Sequence, residues 1–289
     1  MRSEQEMMNM ILNYAKNDER VRAVGMNGSR TNPTVPKDMF QDYDIVFLVT
    51  DMDSFIADKH WMDCFGSRII MQTPEDMVLF PPELGGNFSY LMLFSDGNRI
   101  DLTLSPIEKK ENWNNGDKLS IVLLDKDHAL PDLPAPTDQD YWVKRPSSAI
   151  YADCCNEFWW VSTYVAKGLW RQEITYALDH LNMFVRPMLI KMLEWKVGID
   201  TDFALSTGKS GKYLEKYLPK QKWVALMSTY PEGSYEDVWR ALFATLDLFR
   251  STAKEVAERL NYEYPLNDDR NVAAYLVRVQ HLASEAGKK

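Results

Sequence analysis

The sequence predicts an α+β fold in two unlike parts: a mixed β-sheet with flanking helices over residues 1–135, then an all-α helical bundle over residues 136–289. Three observations carry this. Strand-like runs rich in β-branched residues fill the first half. In the second half, apolar residues recur at three- and four-residue spacing. Between them lies Pro131-Asp132-Leu133-Pro134-Ala135-Pro136, which cannot sustain regular backbone hydrogen bonding and reads as a linker.

Taken in order, Ser3 with Glu6 reads as a capping box opening a helix to about Lys16. Strands are expected near 21–27, 43–50, 68–72, 88–94, 99–104 and 119–125, with a helix near 53–63 among them. Ser95-Asp96-Gly97-Asn98 joins two of the strands as a hairpin. Past the linker, Ser147 to Lys167, Gln172 to Val197, Tyr235 to Leu260 and Asp268 to Ser284 are long amphipathic helix candidates. Gly168 reads as a helix break.

Composition narrows the function classes. A chain of 289 residues suits two domains, and 45% hydrophobic content with 9 Trp, 14 Tyr and 12 Phe excludes a disordered chain. A net charge of −9 argues against a nucleic-acid partner or a templated polymerase, which need a basic footprint. It suits a cationic substrate, or simply solubility. Cys64 and the adjacent Cys154-Cys155 show neither zinc spacing nor a disulfide framework. The N-terminus has no apolar signal core and no run reaches membrane-spanning length, so a cytoplasmic protein without a membrane partner is expected.

The chemistry concentrates at Gly28-Ser29-Arg30 and, twelve residues on, Asp42-Tyr43-Asp44-Ile45. In a strand, Asp42 and Asp44 leave one face while Tyr43 and Ile45 enter the core. Carboxylates on an otherwise apolar strand are costly unless something offsets their desolvation, and a divalent cation commonly does. A lone Asp-x-Asp is usually a solvated turn; here it opens the apolar run Ile45 to Val49. Asp101 alternates with Ile100 and Leu102 on a later strand and supplies a third acid. The small Gly28-Ser29 turn can bring backbone N–H groups close to phosphates. Together these describe a site for a metal–nucleotide complex.

This pattern resembles the polymerase-beta-type nucleotidyltransferase superfamily. Asn27 to Asn32, Gln41 to Ile45, Arg99 to Thr103, Asn156 to Trp160 and Lys167 to Arg171 together resemble the aminoglycoside 6-adenylyltransferases over nearly the whole chain. The resemblance implies transfer of AMP from Mg²⁺-ATP to an aminoglycoside, streptomycin at position 6, with release of pyrophosphate and antibiotic resistance as the outcome. It implies a nucleotidyltransferase domain over 1–135 and a helical substrate-binding domain over 136–289. Asp42 and Asp44 are expected to hold Mg²⁺; Gly28, Ser29 and Arg30 are expected to bind the ATP phosphates. Asp101 either completes a second metal site or takes the proton of the attacking hydroxyl.

The helical half adds further candidates. Gly208-Lys209-Ser210 ends like a Walker A loop, but the earlier glycine it requires falls at Phe203, and no buried strand precedes it. The turn Thr207 to Tyr213 still carries Lys209 and Lys212, and the resemblance implies that it closes over ATP. Glu157, Glu173 and Asp179 are candidates for pairing with a polycation, and Trp170 for stacking on a guanidinium or sugar ring. Two other functions compete: a nucleotidyltransferase for another aminoglycoside or a lincosamide, and a non-catalytic nucleotide-sensing or toxin–antitoxin module.

Overall fold

The computed structural model describes the backbone of residues 1–286 and the side chains of all of these but 112–115 and 286. It divides into two compact units, Met1–Asp140 and Tyr141–Lys289.

The first unit opens with α1 (Glu4–Asn17), whose capping box forms as the sequence dictates: the Ser3 hydroxyl accepts from the Glu6 N–H, and Glu6 reaches back to the Ser3 backbone. Met7, Ile11 and Ala15 recur at helical spacing and are fully buried. Six strands follow: β1 (Val21–Asn27), β2 (Tyr43–Val49), β3 (Arg68–Gln72), β4 (Phe88–Phe94), β5 (Arg99–Pro106) and β6 (Ser120–Asp125). They form one mixed sheet in the order β3-β4-β5-β2-β1-β6. Only β2 and β5 run parallel, at its centre; the other pairs are antiparallel. Tyr43, Ile45 and Phe47 alternate into a core with Ile100, Leu102 and Leu104, so Asp42 and Asp44 fall on the opposite face.

The single helix expected over 53–63 is two shorter pieces, α2 (Met52–Ala57) and a 3₁₀ turn at Trp61–Phe65. Trp61, Met62 and Phe65 are buried, so core packing sets the chain's path here.

The hairpin between β4 and β5 anchors the N-terminus. Gly97 adopts φ +85°, and the Asp96 carboxylate accepts from Arg2 Nε at 2.6 Å and from the Arg2 backbone N–H at 3.0 Å. Asn98 donates to the same carboxylate from its backbone and its side-chain amide. The Arg2 hydrogen bond, first among these, holds the Asp96 carboxyl well below the usual carboxylate range. Such stabilisation is present above the unfolded pKa near 4 and is lost as pH falls through the folded value. Asp96→Asn is therefore expected to lower stability by about 1–3 kcal/mol at neutral pH. In urea melts the gap from wild type should narrow below about pH 4; a gap that is constant with pH would show that charge is not its source.

Among its described residues the second unit has helices and no strand: α3 (Ser148–Trp170), α4 (Ile174–His180), α5 (Arg186–Asp200), α6 (Leu214–Tyr217), α7 (Lys220–Ser228), α8 (Tyr235–Leu260) and α9 (Leu266–Ala286). Ser147 caps α3 by accepting from the Ile150 N–H. Phe158 stacks on Phe249 at 3.6 Å between centroids in a core that holds Tyr151, Trp159 and Leu246.

Two points of the helix reading need correction. Gly168 does not break its helix; α3 runs on to Trp170. A Cβ at Gly168 would lie 2.8 Å from Tyr176 Cδ1, so this glycine lets α4 approach closely. The run Gln172 to Val197 is helical as expected from Ile174 to Asp200, α4 passing into α5 through a π-bulge at Leu181–Val185; Gln172, at φ +60°, lies just outside it. The short helices α6 and α7 carry too few turns to show a period, and sequence reading missed them. Among the described residues no helix is long and apolar enough to cross a membrane.

Candidate active site

The Gly28-Ser29-Arg30 segment is a 3₁₀ turn leaving β1. Gly28 has φ +78°, open to glycine and strained for other residues, and a Cβ there would lie 2.2 Å from Asp44 Oδ2. The missing side chain thus lets the turn lie against the Asp44 carboxylate. Thr31 closes the turn, its N–H and hydroxyl both donating to the Gly28 carbonyl.

Register gathers the acids. Asp44 on β2 is directly opposite Asp101 on β5, and on its other side is opposite Asn27 on β1. Asn27 is in turn opposite Ser120, whose hydroxyl donates to Asn27 Oδ1 at 2.9 Å. A polar row therefore crosses four strands on one face of the sheet. Asp42, two residues before Asp44, shares that face.

The electrostatics are unfavourable to the charged acids. Burial first, then the negative charges of Asp101 and Asp42, push the Asp44 carboxyl up to about 6. Among the described residues Asp44 accepts no hydrogen bond and makes no ion pair, and the more distant charges of Arg99 and Arg30 offset only part of that strain. Asp42 is raised as well, chiefly by burial, with Arg99 acting in the opposite sense. Arg99 donates to both oxygens of Asp101 at 2.7 Å and lies 3.6 Å from Asp42 Oδ2. Its i, i+2 spacing from Asp101 was visible in the chain, but the sequence had no means of showing that one guanidinium reaches two acids. Asn27 was likewise missed, because its place depends on sheet register.

Three carboxylates on one face are the hard oxygen donors that Mg²⁺ prefers, and their chemistry fits that ion. As the side chains stand, no three His, Cys, Asp or Glu groups among the described residues are grouped closely enough to hold a metal. The cation seated there is the Arg99 guanidinium.

Arg30 is placed otherwise than a phosphate contact would need. Its side chain is only 6% exposed, donates to the carbonyls of Gln41 and Asp42 at 2.7 and 3.1 Å, and stacks over Tyr43. It braces the chain entering β2 and so positions Asp42.

In the helical unit, Lys209 and Lys212 are exposed around a 3₁₀ turn at Lys209–Gly211. Gly208 at φ +73° and Ser210 at φ +59° shape this turn. Lys209 lines a hollow of about 540 Å³ with the cations Lys144, Arg145 and Lys191 and the acid Glu194, none of which the sequence connected with it. Lys212 lies 5.1 Å from the Tyr213 ring and does not line the hollow.

Glu157 and Trp170 stand on α3, Asp179 on α4 and Glu173 at the start of α4, all exposed. Trp170 lines a hollow of about 490 Å³ with Tyr235, Glu236 and Trp239, and another of about 370 Å³ with Tyr275 and Arg278. Neither is lined by Glu157, Glu173 or Asp179, so the four are not gathered in one place. His180 is held by its Nδ1 against the Tyr176 carbonyl at 2.9 Å and stacks on the Tyr176 ring.

A mixed sheet with facing aspartates on its central parallel pair, and a glycine turn against one of them, is the arrangement expected of a nucleotidyltransferase. The family model described as streptomycin adenylyltransferase matches residues 1–279. The chain belongs to the streptomycin adenylyltransferase family and is an adenylyltransferase. A Bacillus subtilis (strain 168) protein named aminoglycoside 6-adenylyltransferase is 52% identical over 270 residues, 93% of this chain and 95% of its own. A Campylobacter jejuni protein of the same name is 49% identical over 278 residues, 96% of each chain. A solved structure of an aminoglycoside 6-adenyltransferase from Bacillus subtilis matches at 46% identity with a TM-score of 0.48, covering 97% of this chain and 99% of its own.

Proposed function

We propose that the protein transfers AMP from Mg²⁺-ATP to the 6-hydroxyl of streptomycin, releasing pyrophosphate and so inactivating the antibiotic. The observation that carries this reading is the register that sets Asp44 opposite Asp101, with the Gly28 turn against Asp44. The family match and the 6-adenylyltransferase names of the relatives support the acceptor position.

In this reading Asp42 and Asp44 hold Mg²⁺, and Asp101 either joins them or accepts the proton of the acceptor hydroxyl. When bound, Mg²⁺ neutralises charge on the phosphate oxygens. The Gly28-Ser29 backbone and the Ser29 hydroxyl cradle the outer phosphates. The hydroxyl attacks the α-phosphorus in line and the bond to the pyrophosphate oxygen breaks. Streptomycin, a cation, is attracted to a protein of net charge −9.

The test is pyrophosphate release from Mg²⁺-ATP with and without streptomycin, with Asp42→Asn as control. Release that requires streptomycin and disappears in the variant is expected. Release only with other aminoglycosides or a lincosamide would move the substrate; none with any acceptor, despite tight ATP binding, would favour a sensing module. Lys209→Ala is expected to raise KM for ATP about tenfold with kcat little changed. An unchanged ATP affinity would return this lysine to the solvated surface.

A further inference from the structure

Arg99 is the one cation within ion-pair distance of the acidic trio among the described residues. It sits two residues before Asp101 on β5, so the two side chains share a face. Its fork donates through Nε to one oxygen of Asp101 and through Nη2 to the other, both at 2.7 Å. Its remaining nitrogen, Nη1, lies 3.6 Å from Asp42 Oδ2. Arg30, the other arginine nearby, is committed to the carbonyls of Gln41 and Asp42. One guanidinium therefore ties together two of the carboxylates read as the metal site.

A guanidinium and a divalent cation compete for the same oxygens. Both oxygens of Asp101 are engaged by the fork, and a cation drawing on Asp42, Asp44 and Asp101 together needs them turned toward a common point. A bidentate fork is among the stronger charge-assisted pairs, so it disfavours the bare cation. It has much less effect on a cation that arrives with a triphosphate. The triphosphate brings its own oxygens to the metal and offers the displaced fork a new bidentate partner, since guanidinium geometry matches phosphate as well as carboxylate. At 42% exposure, the Arg99 side chain has solvent rather than packed protein on one side.

We propose that Arg99 occupies Asp42 and Asp101 in the nucleotide-free protein and exchanges them for phosphate oxygens when the metal–nucleotide complex binds. Metal and nucleotide then enter as a unit, and the free cation alone binds weakly. This rests on the reading of Asp42, Asp44 and Asp101 as the metal site.

Mn²⁺ serves as the probe, with its free concentration read by electron paramagnetic resonance. The full-length wild type, Arg99→Gln and Asp44→Asn are compared with and without a non-hydrolysable α,β-methylene ATP. Without nucleotide, Arg99→Gln is expected to bind Mn²⁺ about tenfold more tightly than wild type, the order of one strong charge-assisted pair. With the analogue present the order should reverse, because the variant has lost a phosphate contact. Equal or weaker Mn²⁺ binding by Arg99→Gln without nucleotide would overturn the proposal and leave Arg99 as a mere support for Asp101. Absence of Mn²⁺ binding in wild type even with the analogue, or full binding by Asp44→Asn, would overturn the metal reading as well, and so separates the two failures. If circular dichroism shows Arg99→Gln to be unfolded, Arg99→Lys carries the same comparison, because it keeps the charge but loses the fork.

Discussion

Asp44→Asn is expected to reduce AMP transfer by at least about 100- to 1000-fold, the scale on which loss of a preorganised charge-stabilising group acts. The same substitution is expected to make the metal-free protein more stable at pH 7. Asp44 is the acid most disfavoured in its ionised form: burial, then Asp101 and Asp42, push its carboxyl up to about 6. A raised carboxyl favours the folded state most at low pH, below the unfolded value near 4, and that advantage is lost as pH rises through about 6. At pH 7 the wild type therefore carries a penalty on the order of 2 kcal/mol that asparagine, with no charge, does not. Urea melts of both proteins in EDTA between pH 4 and 8 would show the difference opening as pH rises. Retained turnover would refute the assignment of Asp44 to the metal, and a variant less stable at pH 7 would refute the strain.

Gly28→Ala is expected to impair both stability and turnover by a different route. At φ +78° an L-residue is strained by about 1–2 kcal/mol. Its Cβ would also meet Asp44 Oδ2 at 2.2 Å and Cγ at 3.0 Å, so the carboxylate or the turn must move. A displacement of about 1 Å at reacting groups can cost about 100-fold in rate, and a loss of that order is expected. Gly97→Ala is the control: it too has positive φ, at +85°, but lies on the hairpin between β4 and β5. It should lose stability while keeping its turnover at a temperature where it is folded. Equal kinetic loss in both variants would trace the effect to global stability rather than to the Asp44 contact.

Much of this molecule was legible locally. All six strands fall within two residues of the runs that predicted them, because alternation and β-branching act over a few residues. The start of α1 was legible for the same reason, since its cap and the residue it caps are three apart. Asp42 and Asp44 share a face by strand geometry alone. The helical half was less legible at its joints. Gly168 looks like a stop from its own preference, yet the helix continues, because what selects glycine there is the Tyr176 ring arriving from α4.

By itself, then, the chain determined the class of fold, the strand faces and the types of residue available for chemistry. These follow from short-range sterics and the period of each element. Only the tertiary structure decided how those residues meet. The parallel register of β2 on β5 places Asp44 opposite Asp101 across more than fifty residues of chain, a pairing that no local preference encodes. The same packing turned Arg30 onto the carbonyls of Gln41 and Asp42 and brought Arg99 to Asp101 and Asp42. Two arginines that look alike in the sequence differ because one guanidinium is buried on the backbone carbonyls of Gln41 and Asp42, with Glu4 3.7 Å from its remaining nitrogen, while the other stands at the edge of an acidic face with a charge to balance.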